Sequence, residues 1–251
     1  MNPFGADPLS VAAPPRIEPT EYPKQKAWSI SAVRSHATCP QKFKFIRIDR
    51  LPEPEQPGGP LDRGKQVHAW FAHYIMHGRW PEEAVVTPVL EKWAERLDPL
   101  HACGARAEEQ IAFTKDWKQC EWYAPDVRAR FVFDVVLEPT HDNDWIVAVI
   151  DWKTGRRYES HAMDARLYAL AAMKMFPKAR TVNVNFRYVD EVPSAKSLLY
   201  MCERSAEKEL EKYADLFNNE FLNDTIYPAR PGPHCRWCYQ RKSAGGLCAF
   251  G

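Results

Sequence analysis

The stretch Trp145-Ile146-Val147-Ala148-Val149-Ile150-Asp151-Trp152-Lys153-Thr154-Gly155 decides how the rest of the chain reads. Its nearly continuous apolar run describes a central strand buried on both faces. Side chains alternate along a strand, so Asp151 and Lys153 leave its end on the same face. A charged pair there requires mutual neutralisation or a metal, and Gly155 lets the backbone turn away directly afterwards. A second carboxylate, Asp134, stands inside the apolar run Arg130-Phe131-Val132-Phe133-Asp134-Val135-Val136. The polar stretch 138–144 between the two runs is of hairpin type. A hairpin brings Asp134 and Asp151 within reach of one cation.

Outward from this centre the periodicity changes. Upstream, residues 62–77 read as a helix whose apolar stripe is Val67, Phe71, Tyr74 and Ile75, with His68 at its border. A second helix is expected over 89–97. Strands are expected over 108–113, 128–137 and 145–151. Downstream come a helix over 161–176, ended by Pro177, with the stripe Met163, Leu167, Leu170 and Ala171, and then a strand over 181–188. Val182, Val184, Phe186 and Tyr188 share one face of that strand. A strand over 196–202 and a helix capped by Ser205 and reaching 221 follow. Near the start, Ser31 is expected to cap a short helix that breaks before Pro40. Residues 52–60 form a proline- and glycine-rich loop, and residues 1–24 a proline-rich flexible leader. The plan is mixed α/β, with one domain over 25–251.

The chain has 251 residues, of which 45% are hydrophobic, enough for one substantial core. Its net charge of +1 excludes a polycation. Attraction to nucleic acid must therefore come from local patches such as Lys42, Lys44, Arg47 and Arg50, or Arg156 and Arg157 after Lys153. No apolar run reaches membrane-spanning length and no secretory signal pattern opens the chain. The seven cysteines are clustered rather than spread, which points to a reducing compartment and a cytoplasmic protein. Cys235 and Cys238 form a Cys-x-x-Cys pair, Cys248 follows, and Cys39 is a candidate fourth ligand. Four thiolates suit Zn²⁺ or an iron–sulfur cluster. Such a site joins 25–50 to 228–251. Cys103, Cys120 and Cys202 are isolated thiols.

Two converging carboxylates attract Mg²⁺ or Mn²⁺. The cation lowers the pKa of water and neutralises charge on a phosphoryl oxygen. Lys153 then orients the attacking water or stabilises charge on the scissile phosphate. The plain alternative is a buried Asp–Lys ion pair without catalysis; His68, an imidazole ligand nearby, weighs against it.

Taken together, these residues resemble the PD-(D/E)XK nucleases of the RecB type, which place a His on an early helix, an Asp on a strand and Asp/Glu-x-Lys on the next. The resemblance implies a restriction-endonuclease-like core with His68, Asp134 and Asp151 as metal ligands and Lys153 as the catalytic lysine. Gly64-Lys65-Gln66-Val67-His68 is similar to the family's Gly-x-x-x-His helix start, and Glu108 or Glu109 resembles an acidic position found there. Tyr168, and Arg156 from the basic run, are candidate DNA contacts. Ser29-Ile30-Ser31 with Cys39-Pro40, and the three late cysteines, resemble the CRISPR-associated branch, in which four cysteines bind a [4Fe–4S] cluster. Three departures stand out. Phe131 and Val132 occupy a region where the family often has Gly, Asp164 stands where it commonly has Gln, and nine residues separate Cys238 from Cys248. The implied activity is a divalent-metal-dependent DNA exonuclease that prefers single strands or free ends. An endonuclease of the same fold and a non-catalytic nucleic-acid-binding metal-cluster protein are the alternatives.

Overall fold

The computed structural model describes residues 22, 24–52, 59–138, 145–191 and 197–250. Nearly all of the expected leader, the middle of the 52–60 loop, most of the 138–144 connection and the start of the 196–202 strand lie outside the described residues.

The described strands are β1 (Arg106–Thr114), β2 (Gln119–Cys120), β3 (Val127–Leu137), β4 (Ile146–Lys153), β5 (Thr181–Tyr188) and β6 (Leu198–Glu203). They form one sheet in the order β2-β1-β3-β4-β5-β6. Neighbours are antiparallel except β4 and β5, which are parallel. A parallel pair needs a crossover. Of the helices α1 (Ile30–Thr38), α2 (Pro40–Arg47), α3 (Pro60–His77), α4 (Pro88–Ala102), α5 (His161–Met175) and α6 (Glu207–Asn223), α5 supplies it.

The sheet separates two apolar cores. Val147 and Val149 of β4 enter the core shared with α5 and α6. Ile150 and Trp152 enter the core shared with α3 and α4. Trp152 is fully buried, with ring centroids 4.9 Å from Phe71 and 5.7 Å from Trp93. The period-2 pattern of β4 thus anchors both layers and carries Asp151 and Lys153 to the end of the sheet. The expected hairpin partner of β4 is β3, and Val182, Val184, Phe186 and Tyr188 are all buried as the alternation of β5 requires.

Local expectations differ from the structure in several places. The basic run after Cys39 folds as α2, because Pro40 sits in the first turn, where a missing N–H costs nothing. Phe43 and Phe45 are buried from it. Ser29, not Ser31, caps α1: its Oγ accepts from the Ala32 N–H at 3.3 Å. Helix α4 runs from a Thr87 cap well past residue 97, with Pro99 inside it. The two-residue β2 is too short for alternation to reveal. Ser205 does not cap α6; a 3₁₀ turn, Arg204–Ala206, precedes it. There the Arg204 guanidinium donates to the carbonyls of Met173, Phe176 and Ala179, closing the end of α5. Met163 is 39% exposed rather than part of the core, whereas Leu167, Leu170 and Ala171 are fully buried.

Phe71 is fully buried between Trp93, Trp80 and Trp152. Phe71→Ala is expected to cost about 3–5 kcal/mol in urea unfolding. Met163→Ala, on the exposed side of α5, is expected to stay within about 0.5 kcal/mol of the parent.

Candidate active site

The β3–β4 ladder pairs Leu137 with Ala148, Val136 with Val149 and Val135 with Ile150, and stops there. The next residues on the two strands are Asp134 and Asp151. Asp134 Oδ2 accepts a hydrogen bond from the Trp152 backbone N–H at 2.7 Å. A side chain therefore takes the place of the main-chain acceptor that the ladder would have supplied. Asp134 Oδ1 lies 3.3 Å from His68 Nδ1 on α3. On the other flank of β3, the β1 ladder skips Glu108, between the pairs Ala107–Val135 and Glu109–Phe133. Glu108 has φ 51°, a left-handed conformation uncommon outside glycine. Strain of this kind costs about 1–3 kcal/mol and concentrates at functional sites. One ligating atom each from His68, Glu108 and Asp134 falls within 4.8 Å of the other two. This separates the two acidic candidates: Glu108 joins the site, while Glu109 lies 3.4 Å from Arg106.

Asp151 is buried, and its Oδ2 is 2.6 Å from Lys153 Nζ. The Tyr168 hydroxyl on α5 lies beside the Asp151 carboxyl and favours its charged form. Two glycines allow this geometry. A Cβ at Gly64 would stand 3.1 Å from Thr154 Oγ1, so Gly64 lets the first turns of α3, and with them His68, approach the end of β4. Gly155 has φ 126°, which a residue with a Cβ rarely adopts, and ends the strand two residues after Lys153.

The sequence profile of the PD-(D/E)XK nuclease superfamily matches residues 27–243, which contain all of these groups. The chain belongs to the PD-(D/E)XK nuclease superfamily. No curated protein matches it. Among solved structures it is similar to the protein SSO0001, at 14% identity over 86% of this chain and 84% of that one, with a TM-score of 0.41. It is also similar to a Eubacterium rectale protein provisionally described as an exonuclease, at 10% identity over 78% and 82% of the two chains, with a TM-score of 0.39.

The charges of this superfamily member's centre crowd one another. Burial, and then the Asp134 charge, raise the Asp151 carboxyl above the usual carboxylate range, against the pull of Lys153 and Tyr168. Burial and Asp134 raise Glu108 as well. Burial alone would lower His68, but its hydrogen bond to Asp134, with the charges of Asp134, Asp151 and Glu108, carries it above its ordinary value. A cluster in which acids resist ionising and an imidazole holds its proton is short of positive charge. Its donor set of carboxylate oxygens and imidazole nitrogen fits Mg²⁺ or Mn²⁺.

Asp164 is not solvent-facing. It is buried and lies 2.8 Å from Arg34 Nη2 on α1, and burial lifts it to about 6 despite Arg34 and Lys153. Arg34 also donates to the Ser160 carbonyl at 2.7 Å. His161 was not expected here. Its Nδ1 lies 2.6 Å from the Tyr188 hydroxyl, and burial with the charges of Lys153 and Arg34 pushes it down to about 4. Arg34 and His161 had no spacing signal, because each reaches the site through a neighbouring element. Arg156 is exposed in the turn after β4.

Cys39, Cys235, Cys238 and Cys248 line one small pocket. The tail reaches it by docking on α1 and α2: Arg230 donates to the Ala37 carbonyl at 2.8 Å, and the Gln41 N–H to the Pro228 carbonyl at 3.3 Å. The Cys248 thiol lies 3.3 Å from Gln41 Oε1. Cys103, Cys120 and Cys202 lie elsewhere, after α4, on β2 and on β6.

A bound cation takes ionised carboxylates and a neutral imidazole. With Asp151, Glu108 and His68 all raised, protons compete with the metal well above pH 3.8. Mn²⁺ affinity is therefore expected to rise with pH between 5.5 and 7.5, with proton release on binding, as calorimetry in buffers of different ionisation heat would show. Affinity independent of pH over that range would contradict this electrostatic picture. Tyr168→Phe, which removes the hydroxyl from Asp151, is expected to weaken Mn²⁺ binding or activity about 10–100-fold.

Proposed function

We propose that this chain is a divalent-metal-dependent DNA exonuclease of the RecB type, hydrolysing phosphodiester bonds and preferring single strands or free ends. The observation that carries the reading is the convergence of His68, Glu108 and Asp134 beside the Asp151–Lys153 pair. His68, Asp134 and Asp151, with Glu108, hold Mg²⁺ or Mn²⁺. The cation supplies Lewis acidity toward the scissile phosphate. Asp134 fixes the site to the backbone of β4, Tyr168 orients Asp151, and Lys153 places a cationic donor where charge builds on the phosphate. The exonucleolytic mode and the preference for single strands rest on the resemblance of Ser29-Ile30-Ser31, Cys39-Pro40 and the late cysteines to the CRISPR-associated branch.

The test uses end-labelled linear single-stranded DNA and a circular single strand of similar length, with Mn²⁺ or with EDTA. The linear strand is expected to be degraded only with Mn²⁺, and the circle to survive. Lys153→Ala is expected to lose about 10²–10³-fold in rate. Unchanged degradation by Asp151→Ala would sink the nuclease assignment, and cleavage of the circle would replace the exonuclease by an endonuclease.

The same reading gives Cys39, Cys235, Cys238 and Cys248 a [4Fe–4S] cluster. Four thiolates suit zinc as well as a cluster, and the resemblance of Ser29-Ile30-Ser31, Cys39-Pro40 and the three late cysteines to the CRISPR-associated branch supports iron–sulfur over zinc. Anaerobically purified protein is expected to be brown and to contain iron. A colourless protein with stoichiometric zinc would overturn this part of the proposal.

A further inference from the structure

A groove of about 740 Å³ runs from Lys153, Asp164 and Tyr168 along the start of α1 to the β2–β3 connection. That volume suits a ligand of a few connected rings and is small for a duplex. Among the described residues that line it, the cations are Arg34, Arg47, Arg130 and Lys153, and the one carboxylate is Asp164, already paired with Arg34. A chain with a net charge of +1 thus concentrates positive charge along one path that ends at the candidate metal centre.

At the far end of the path the structure builds an aromatic platform. Arg130 Nε donates to the Trp122 carbonyl at 2.8 Å. Its guanidinium lies 5.7 Å from both the Trp122 and the Tyr123 ring centroids. Trp122 lines the groove, and Tyr123 beside it is 85% exposed. Such an exposed ring has no role in the core and is held from one side by a cation. Arg47, on α2, is exposed and has no ion-pair partner among the described residues. A basic groove with aromatic faces is the combination that follows a phosphate backbone and stacks unpaired bases.

We propose that this groove carries a single strand of DNA to the metal centre, with Arg47 and Arg130 on its phosphates and Trp122 and Tyr123 as the platform for its bases. A duplex hides its base faces and gains nothing from the platform, so the groove selects unpaired strand. The inference deepens the nuclease reading and rests on it for what happens at Lys153, but strand binding is measured without cleavage.

Fluorescence polarisation tests it with a fluorescein-labelled single-stranded 20-mer and the matching duplex, in Ca²⁺ to avoid turnover. The single strand is expected to bind more tightly than the duplex. Tyr123→Ala, at an exposed ring, is expected to weaken single-strand binding about 10-fold, with thermal unfolding unchanged. Arg47→Ala is expected to lower the slope of log affinity against log salt by about 0.7. Lys92→Ala on the opposite layer is expected to change neither quantity. Equal single-strand affinity across all four proteins, or tighter binding of the duplex, would overturn the proposal. Metal-dependent degradation with binding indifferent to these variants would refute the groove and leave the nuclease standing. Binding that follows the groove variants, with no cleavage in Mn²⁺, would do the reverse.

Discussion

Asp134 is almost fully buried, and a carboxylate in that position is tolerable because both of its oxygens are met. The Trp152 N–H serves one and the His68 imidazole lies against the other. Because the first partner is a peptide group of β4, the carboxylate cannot move without moving the strand that carries Asp151 and Lys153. The β3–β4 ladder ends where this substitution occurs. On the other flank of β3, Glu108 has a left-handed backbone and offers a carboxylate oxygen within 4.8 Å of the ligating atoms of Asp134 and His68. The site is thus a controlled failure of sheet pairing, and its rigidity is that of the sheet.

Both layers press on this gap. From one side, Phe71 and Trp93 fix Trp152, and Gly64 admits α3 closely enough for His68 to reach Asp134. From the other, α5 brings the Tyr168 hydroxyl to Asp151, and Arg34 of α1 holds Asp164 and the Ser160 carbonyl at the start of α5. Helix α1 carries Arg34 in its middle and Cys39 at its end, and Arg230 of the tail binds the Ala37 carbonyl between them. The cysteine pocket and the carboxylate centre therefore share one helix.

Much of this was legible in the sequence, and the reasons are physical. The apolar run ending in Asp151-Trp152-Lys153 read as a central strand because a nearly continuous apolar stretch of this length suits burial on both faces. Asp134 was visible as a charge inside an apolar strand, and His68 as a ring at the edge of a helical stripe. Glu108 and Glu109 could not be separated, because the distinction lies in one positive φ that no periodicity encodes. Arg34 and His161 were opaque, and Asp164 stood out only as a departure from the family pattern, for a related reason: their contacts join elements distant in the chain. The run after Pro40 read only as a basic patch, because its charges outweigh Phe43 and Phe45 in any local count. The strand–helix–strand order was legible, but the parallel pairing of β4 and β5 that it permits emerges only in the structure.

The proposed function makes the break in the β3–β4 ladder a cation site. Anomalous diffraction from crystals grown with Mn²⁺ tests it most directly. A manganese peak enclosed by His68, Glu108, Asp134 and Asp151, with coordination distances of about 2.0–2.4 Å, is the result this account predicts. Crystals at saturating Mn²⁺ with no peak there, and with Asp151 still paired to Lys153, would contradict it.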